Sequence, residues 1–93
     1  MRWFVAICLL TFIAGSSPVR AAEPHFCREY AESAVDQSRR ALDDPRCERG
    51  ARGPRWSTNY RYHYDWCLGA RHESAREERE VRHEHLERCH WRR

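Results

Sequence analysis

Apolar residues form one continuous run near the start of the chain and then recur at helical intervals. Residues 3–14 are apolar apart from Thr11, whereas further along apolar residues return at steps of three and four. This spacing predicts a first helix over residues 25–42, with Pro24 just inside its start, where a missing N–H costs nothing. The core face of this helix is predicted to hold Cys27, Tyr30, Ala31, Ala34, Val35, Ser38 and Leu42.

A second helix is predicted after a loop of roughly a dozen residues around Cys47, which is marked by glycine and proline. Ser57 is a suitable N-cap for this helix and Gly69 a suitable C-terminal stop. Residues 60–64 also alternate between aromatic and polar side chains, so a short strand is the alternative. We favour the helix because helical spacing continues through Cys67.

A third helix is predicted to begin near Ser74, where residues 74–77 fit a capping box. Its core face is predicted to hold Ala75, Glu78, Arg82, Leu86 and Cys89. Two hypotheses follow from the charged pair on that face. Either the helix is largely solvated and held only by its leucine and cysteine, or Glu78 and Arg82 form a half-buried ion pair that meets His63 or Tyr64.

The N-terminal apolar run is predicted to be a secretory signal peptide. A positive Arg2 precedes the run, and Val19 and Ala21 supply the small or apolar residues of a cleavage site after Ala21. The run is too short to span a bilayer, which takes about 20 apolar residues, so no stable membrane anchor is expected. The sequence therefore predicts a signal peptide at 1–21 and a four-cysteine helical domain at 22–93.

The mature domain has few large aliphatic residues, so its cysteines are expected to stabilise it. Of the five cysteines, Cys8 lies in the predicted signal peptide, so four remain in the mature domain. An even number of cysteines in a short exported chain indicates disulfides. If the three helices run up, down and up, Cys27 and Cys67 share one end of the bundle and Cys47 and Cys89 the other. The sequence therefore predicts an all-α, disulfide-stapled three-helix domain with the pairs Cys27–Cys67 and Cys47–Cys89.

The charge of the mature domain is nearly balanced. All 17 basic residues are arginine, and removal of Arg2 and Arg20 leaves 15 arginines against 14 acidic residues, a net charge of +1. A dedicated nucleic-acid binder would carry a basic excess, so no nucleic-acid partner is expected. No polybasic membrane-binding segment is expected either.

One group of side chains has the spacing of a metal site. His83, Glu87 and His90 are four and three residues apart, so they project from one side of the third helix. A Zn²⁺ or Cu²⁺ protein is therefore an alternative function. No cofactor is expected, and no enzyme is expected, because the chain lacks nucleophile-elbow, metalloprotease and phosphate-loop motifs and its thiols are predicted to be paired.

The aromatic residues indicate an interaction surface. The candidates are Trp56, Tyr62, Trp66 and Trp91, because so small an interior is not expected to hold them all and such residues are favoured at binding hot spots. The alternative is that they cover the disulfides as part of the core. The expected function is a small exported binding or structural module with a protein partner, and an enzyme inhibitor is a further alternative.

Several short motifs extend through nearly the whole mature domain. They are Cys27-x-x-Tyr30-Ala31, Ala34-Val35-x-Gln37, Gly53-Pro54-Arg55-Trp56, Asn59-Tyr60-x-x-His63-x-x-Trp66-Cys67-Leu68 and Glu78-x-x-x-Arg82-x-x-x-Leu86-x-x-Cys89. With these motifs the chain resembles an uncharacterised family of short exported bacterial four-cysteine proteins. The resemblance implies an exported domain with every cysteine paired, and it implies no particular activity.

Overall fold

The described part of the chain, residues 21–91 of a computed structural model, is helical and contains no strand. The helices are α1 (Pro24–Asp43), α2 (Pro45–Glu48), α3 (Tyr60–Leu68) and α4 (His72–His90), with a 3-10 turn at Pro54–Trp56 between α2 and α3. The predicted all-α class is confirmed, and α2 is a short additional helix inside the predicted loop. Apart from Ala21, the predicted signal peptide lies outside the described residues.

Within residues 21–91, no helix combines the length and the apolar character needed to cross a membrane.

The boundary between α1 and α2 is fixed by a single proline. Pro45 restricts the preceding residue to extended backbone, and Asp44 accordingly has φ −104° and ψ 116°. The chain then turns back into helix because the Asp44 carboxylate accepts a hydrogen bond from the Arg46 amide at 2.9 Å. This turn places Cys47 beside the end of α4.

Helix α3 confirms the prediction of a helix over a strand, but its predicted start at Ser57 is wrong. Asn59 is the N-cap, and its Oδ1 accepts from the Tyr62 amide at 3.3 Å. Ser57 instead accepts from the Asn59 amide at 3.1 Å, so it stabilises the turn before the helix. The predicted stop at Gly69 is confirmed.

Helix α4 begins two residues before the predicted position. Its first helical hydrogen bond joins the Ala75 amide to the Arg71 carbonyl at 3.1 Å, and His72 is its first residue. The predicted capping box at Ser74 is therefore wrong, because Ser74 already lies within the first turn.

The two disulfides lie at opposite ends of the bundle, in the predicted pairs. Cys27 and Cys67 join α1 to α3 with their Cα atoms 5.5 Å apart, and Cys47 and Cys89 join α2 to α4 at 5.0 Å. In the chain-entropy model, each closed loop of this length stabilises the fold by about 4 kcal/mol. That contribution is large for a domain with so few aliphatic residues.

Each disulfide belongs to a small apolar cluster made mainly of alanine and cysteine. One contains Ala22, Cys27, Tyr30, Ala34, Cys67 and Ala75, and the other contains Ala41, Cys47, Ala51, Trp56, Leu86 and Cys89. Leu42, predicted on the core face of α1, is instead 39% exposed, and Ala41 is buried in its place. The small side chains allow the helices to approach closely but bury little apolar area.

The loop before the 3-10 turn needs glycine. Gly50 and Gly53 have φ of 90° and 89°, a region that other residues rarely adopt. A Cβ atom on Gly50 would also lie 3.3 Å from Cε1 of His85. These two glycines bring the segment 52–55 back across α1 and α4.

Candidate functional site

A cleft of about 310 Å³ lies between the 3-10 turn, α3 and α4, with α1 beneath it. Its charged residues are Arg52, Arg55, Glu78 and Arg82. We call it the arginine cleft because it has three guanidinium groups and a single carboxylate. Its volume lies at the lower end of the range for ligand sites, about 300–1,000 Å³.

Arg82 forms the floor of the arginine cleft and is completely buried, with 0% of its side chain exposed. Its Nε donates to Gln37 Oε1 at 2.8 Å, and its Nη1 donates to the Arg55 carbonyl at 3.4 Å. The guanidinium carbon lies 5.1 Å from the centre of the Tyr30 ring, within cation–π range. The hypothesis of a solvated α4 held only by its leucine and cysteine is therefore wrong.

Glu78 is shared between two arginines. Arg55 donates to both of its carboxylate oxygens, from Nε at 2.8 Å and from Nη2 at 3.1 Å. Arg82 Nη1 lies farther away, 3.9 Å from Glu78 Oε2. The predicted Glu78–Arg82 ion pair is therefore present, but Arg82 is fully buried instead of half-buried, and the closer partner of Glu78 is Arg55. This hydrogen bonding raises the pKa of Arg55.

Aromatic side chains form one wall of the arginine cleft. Tyr62 and Trp66 line it and remain 42% and 37% exposed. The Trp66 ring lies 5.5 Å from the ring of buried Tyr30, and burial raises the Tyr30 pKa. Two of the four aromatic residues predicted at an interaction surface therefore lie beside the arginines.

His63 supports this wall from inside. It is buried, its ring meets Tyr62 edge to face at 5.4 Å, and its Nε2 lies 2.6 Å from the Ser57 carbonyl. Since a carbonyl only accepts, Nε2 carries the proton. Burial lowers the His63 pKa and outweighs the opposite effect of this hydrogen bond, while nearby Arg82 lowers it further. The neutral imidazole therefore positions the start of α3.

The other two predicted surface aromatics lie elsewhere. Trp56 is buried at 6% exposure in the cluster around Cys47–Cys89, with its ring 4.8 Å from that of His85, so its prediction as a surface residue is wrong. The alanine-rich cluster leaves room for its large ring. Trp56 therefore follows the alternative hypothesis, in which the aromatic residues cover the disulfides as part of the core. Trp91 is 82% exposed at the end of α4 and does not line the arginine cleft.

The residues of the predicted metal site do not point to a common centre. His83 Nε2 lies 3.8 Å from Glu87 Oε1, whereas His90 Nδ1 lies 3.8 Å from Asp44 Oδ2. Within residues 21–91, one group of potential metal ligands has its atoms within 4.8 Å of one another, and it consists of Asp44, Cys47 and His90. The Cys47 sulfur is bonded to Cys89, so it is not a thiolate and this group lacks its strongest ligand.

Sequence reasoning missed Gln37, Arg52 and Arg55 as site residues. Arg55 lies within the motif Gly53-Pro54-Arg55-Trp56, but its partner Glu78 is 23 residues away. Gln37 lies 45 residues from Arg82. Comparison of the chain with family models, with curated proteins and with solved structures finds no match.

Proposed function

We propose that this protein is a small exported binding module that holds a protein partner at the arginine cleft. The observation that carries the proposal is the position of Tyr62 and Trp66, two partly exposed aromatic rings beside the cleft arginines. Tyrosine, tryptophan and arginine are the residues most enriched at binding hot spots. A wall of rigid rings also loses little side-chain entropy when a partner binds.

The scaffold suits binding more than catalysis. Both ends of the bundle are cross-linked, so the walls of the cleft keep their positions without a large core. Cys27, Cys47, Cys67 and Cys89 are all paired, which leaves no thiol nucleophile among them. The neutral His63 has its Nε2 proton engaged by the Ser57 carbonyl, which favours a positioning role.

The proposed location is the bacterial periplasm or the secreted medium. The signal-peptide pattern of residues 1–21 supports export. The two disulfides also fit an oxidising compartment, where such bonds form and persist. The proposed resemblance to short exported four-cysteine proteins would agree with this location.

Selection from a phage-displayed library of random short peptides tests the proposed function. Selection against the oxidised, exported protein should enrich peptides that bind it. The same peptides should bind the Trp91→Ala variant equally well, because Trp91 lies outside the cleft. The Tyr62→Ala/Trp66→Ala double variant should bind the same peptides roughly tenfold or more weakly. If no peptide is enriched, or if the enriched peptides depend on Trp91 and not on the cleft aromatics, the proposal is wrong.

A Zn²⁺ or Cu²⁺ protein is the second candidate, supported by the approach of His83 to Glu87 at 3.8 Å. Calorimetric titration separates it from the first. A metal function at this pair requires that the His83→Ala variant bind the metal more weakly than the parent. Equal affinities would exclude this site.

A further inference from the structure

The arginine cleft has an excess of positive charge at its base. The Arg55 and Arg82 guanidinium groups share the single carboxylate of Glu78. Arg52 adds a third guanidinium at the cleft lining, and it forms no ion pair with any residue in the range 21–91. Because Arg82 is fully buried, solvent screens its charge poorly.

Arg82 is also short of hydrogen-bond partners. Its Nε and Nη1 donate to Gln37 and Arg55, but within residues 21–91 its buried Nη2 has no acceptor. A buried donor without a partner costs roughly 1–3 kcal/mol, and more when the group is charged. Within residues 21–91 the lining of the cleft therefore carries more positive than negative charge, and one buried guanidinium nitrogen, Arg82 Nη2, has no protein acceptor.

We infer that the arginine cleft recognises an acidic side chain, Asp or Glu, on an extended segment of a polypeptide partner. This inference rests on the proposed function and names the chemistry of its ligand. The carboxylate enters the mouth of the cleft beside Arg52, whose planar guanidinium suits two-pronged recognition. Arg55 lies beside it but already donates from Nε and Nη2 to Glu78. The buried Arg82 attracts the carboxylate from beneath.

The aromatic wall favours a polypeptide over a small free carboxylate. Tyr62 and Trp66 expose ring surface next to the charged groups. A residue flanking the acidic side chain can pack on these rings, whereas a small acid would leave them uncovered. Charge and ring surface together therefore describe a short acidic motif with an apolar or aromatic neighbour.

The peptides selected against the exported protein provide the probes. We expect each to contain Asp or Glu, and replacement of that residue by its amide should weaken binding roughly tenfold or more, as the loss of a charge-assisted hydrogen bond does. The weakening should be at least about twofold smaller in the Arg52→Gln variant, because part of the interaction that the amide removes is already missing there, while Arg82 is still present. Arg61→Gln is the matched control, since Arg61 is exposed on α3, pairs with Asp65 and does not line the cleft.

The outcomes separate this inference from the proposed function. Failure to select any peptide would contradict the proposed function itself. Two results would overturn only the present inference. In the first, the selected peptides bind through the cleft aromatics but contain no Asp or Glu. In the second, replacing their acidic residue by its amide leaves their affinity unchanged. Competition by propionate, at the concentrations at which the peptides bind, would overturn the assignment to a polypeptide.

Discussion

Arg82 Nε donates a hydrogen bond to Gln37 Oε1 across 2.8 Å, and this bond joins α4 to α1 in the interior of the bundle. Gln37 completes the link because its Nε2 donates to the Arg79 carbonyl at 3.1 Å. A fully buried arginine is therefore held by an amide more closely than by a carboxylate. The floor of the cleft and the packing of the two longest helices depend on the same side chain.

The first prediction concerns stability. Arg82→Ala should lower the free energy of unfolding by about 2–4 kcal/mol, because it leaves a cavity and removes the donor to Gln37. Arg76→Ala, on the exposed face of α4, should change it by less than about 0.5 kcal/mol. Urea unfolding followed by circular dichroism measures both, and equal midpoints for the two variants would contradict a structural role for the buried guanidinium.

The second prediction concerns pH. Because the His63 pKa is lowered in the folded state, the unfolded chain binds the proton more readily below about pH 6.5. The stability contributed by neutral His63 is therefore present above that pH and decreases as the pH falls towards the folded pKa. The nearby Arg82 acts in the same direction, whereas Glu78 opposes it.

Urea unfolding between pH 7 and pH 5 measures this effect. The parent should lose stability as the pH falls, and His63→Gln should show a flatter profile in the same range, whatever its stability at pH 7. Parallel profiles for the two proteins would show that His63 does not cause the pH dependence.

Much of the fold was predictable from the sequence because it depends on local spacing. The helical periodicity predicted α1, α3 and α4. The up-down-up order of these helices then predicted the disulfide pairs Cys27–Cys67 and Cys47–Cys89. The arginine cleft was not predictable in this way, because Arg55 reaches Glu78 only after two positive-φ glycines redirect the loop. Trp56 was predicted at the surface but is buried, because residue type alone does not show how much room an alanine-rich core leaves for a large ring.

The third prediction concerns the disulfides. Trypsin digestion of the non-reduced protein should give one linked pair of peptides covering 22–28 and 62–71, and another covering 47–49 and 89–92. The measurement is mass spectrometry before and after reduction. A fragment that links 22–28 to 47–49 or to 89–92 would contradict both the pairing and the helix order.

The fourth prediction concerns processing. The exported protein should begin at Ala22, whose nitrogen donates to the Ala70 carbonyl at 2.9 Å and which is 4% exposed. After cleavage that nitrogen is an ammonium group, and the carbonyl end of α3 favours its positive charge. Intact mass gives the first residue, and a product that begins at Glu23 or retains residues 1–21 would contradict the prediction.

Binding at the arginine cleft is the central claim, and amide chemical-shift mapping tests it most directly. A selected peptide titrated into the ¹⁵N-labelled exported protein should shift the amides of Arg52, Tyr62 and Trp66 and the Trp66 indole, and leave the Trp91 indole unchanged. Arg82→Met should retain the helical spectrum, because an apolar residue of similar length replaces the buried charge, yet bind the peptide roughly tenfold more weakly. Shifts concentrated around Trp91, or full affinity in Arg82→Met, would contradict the account.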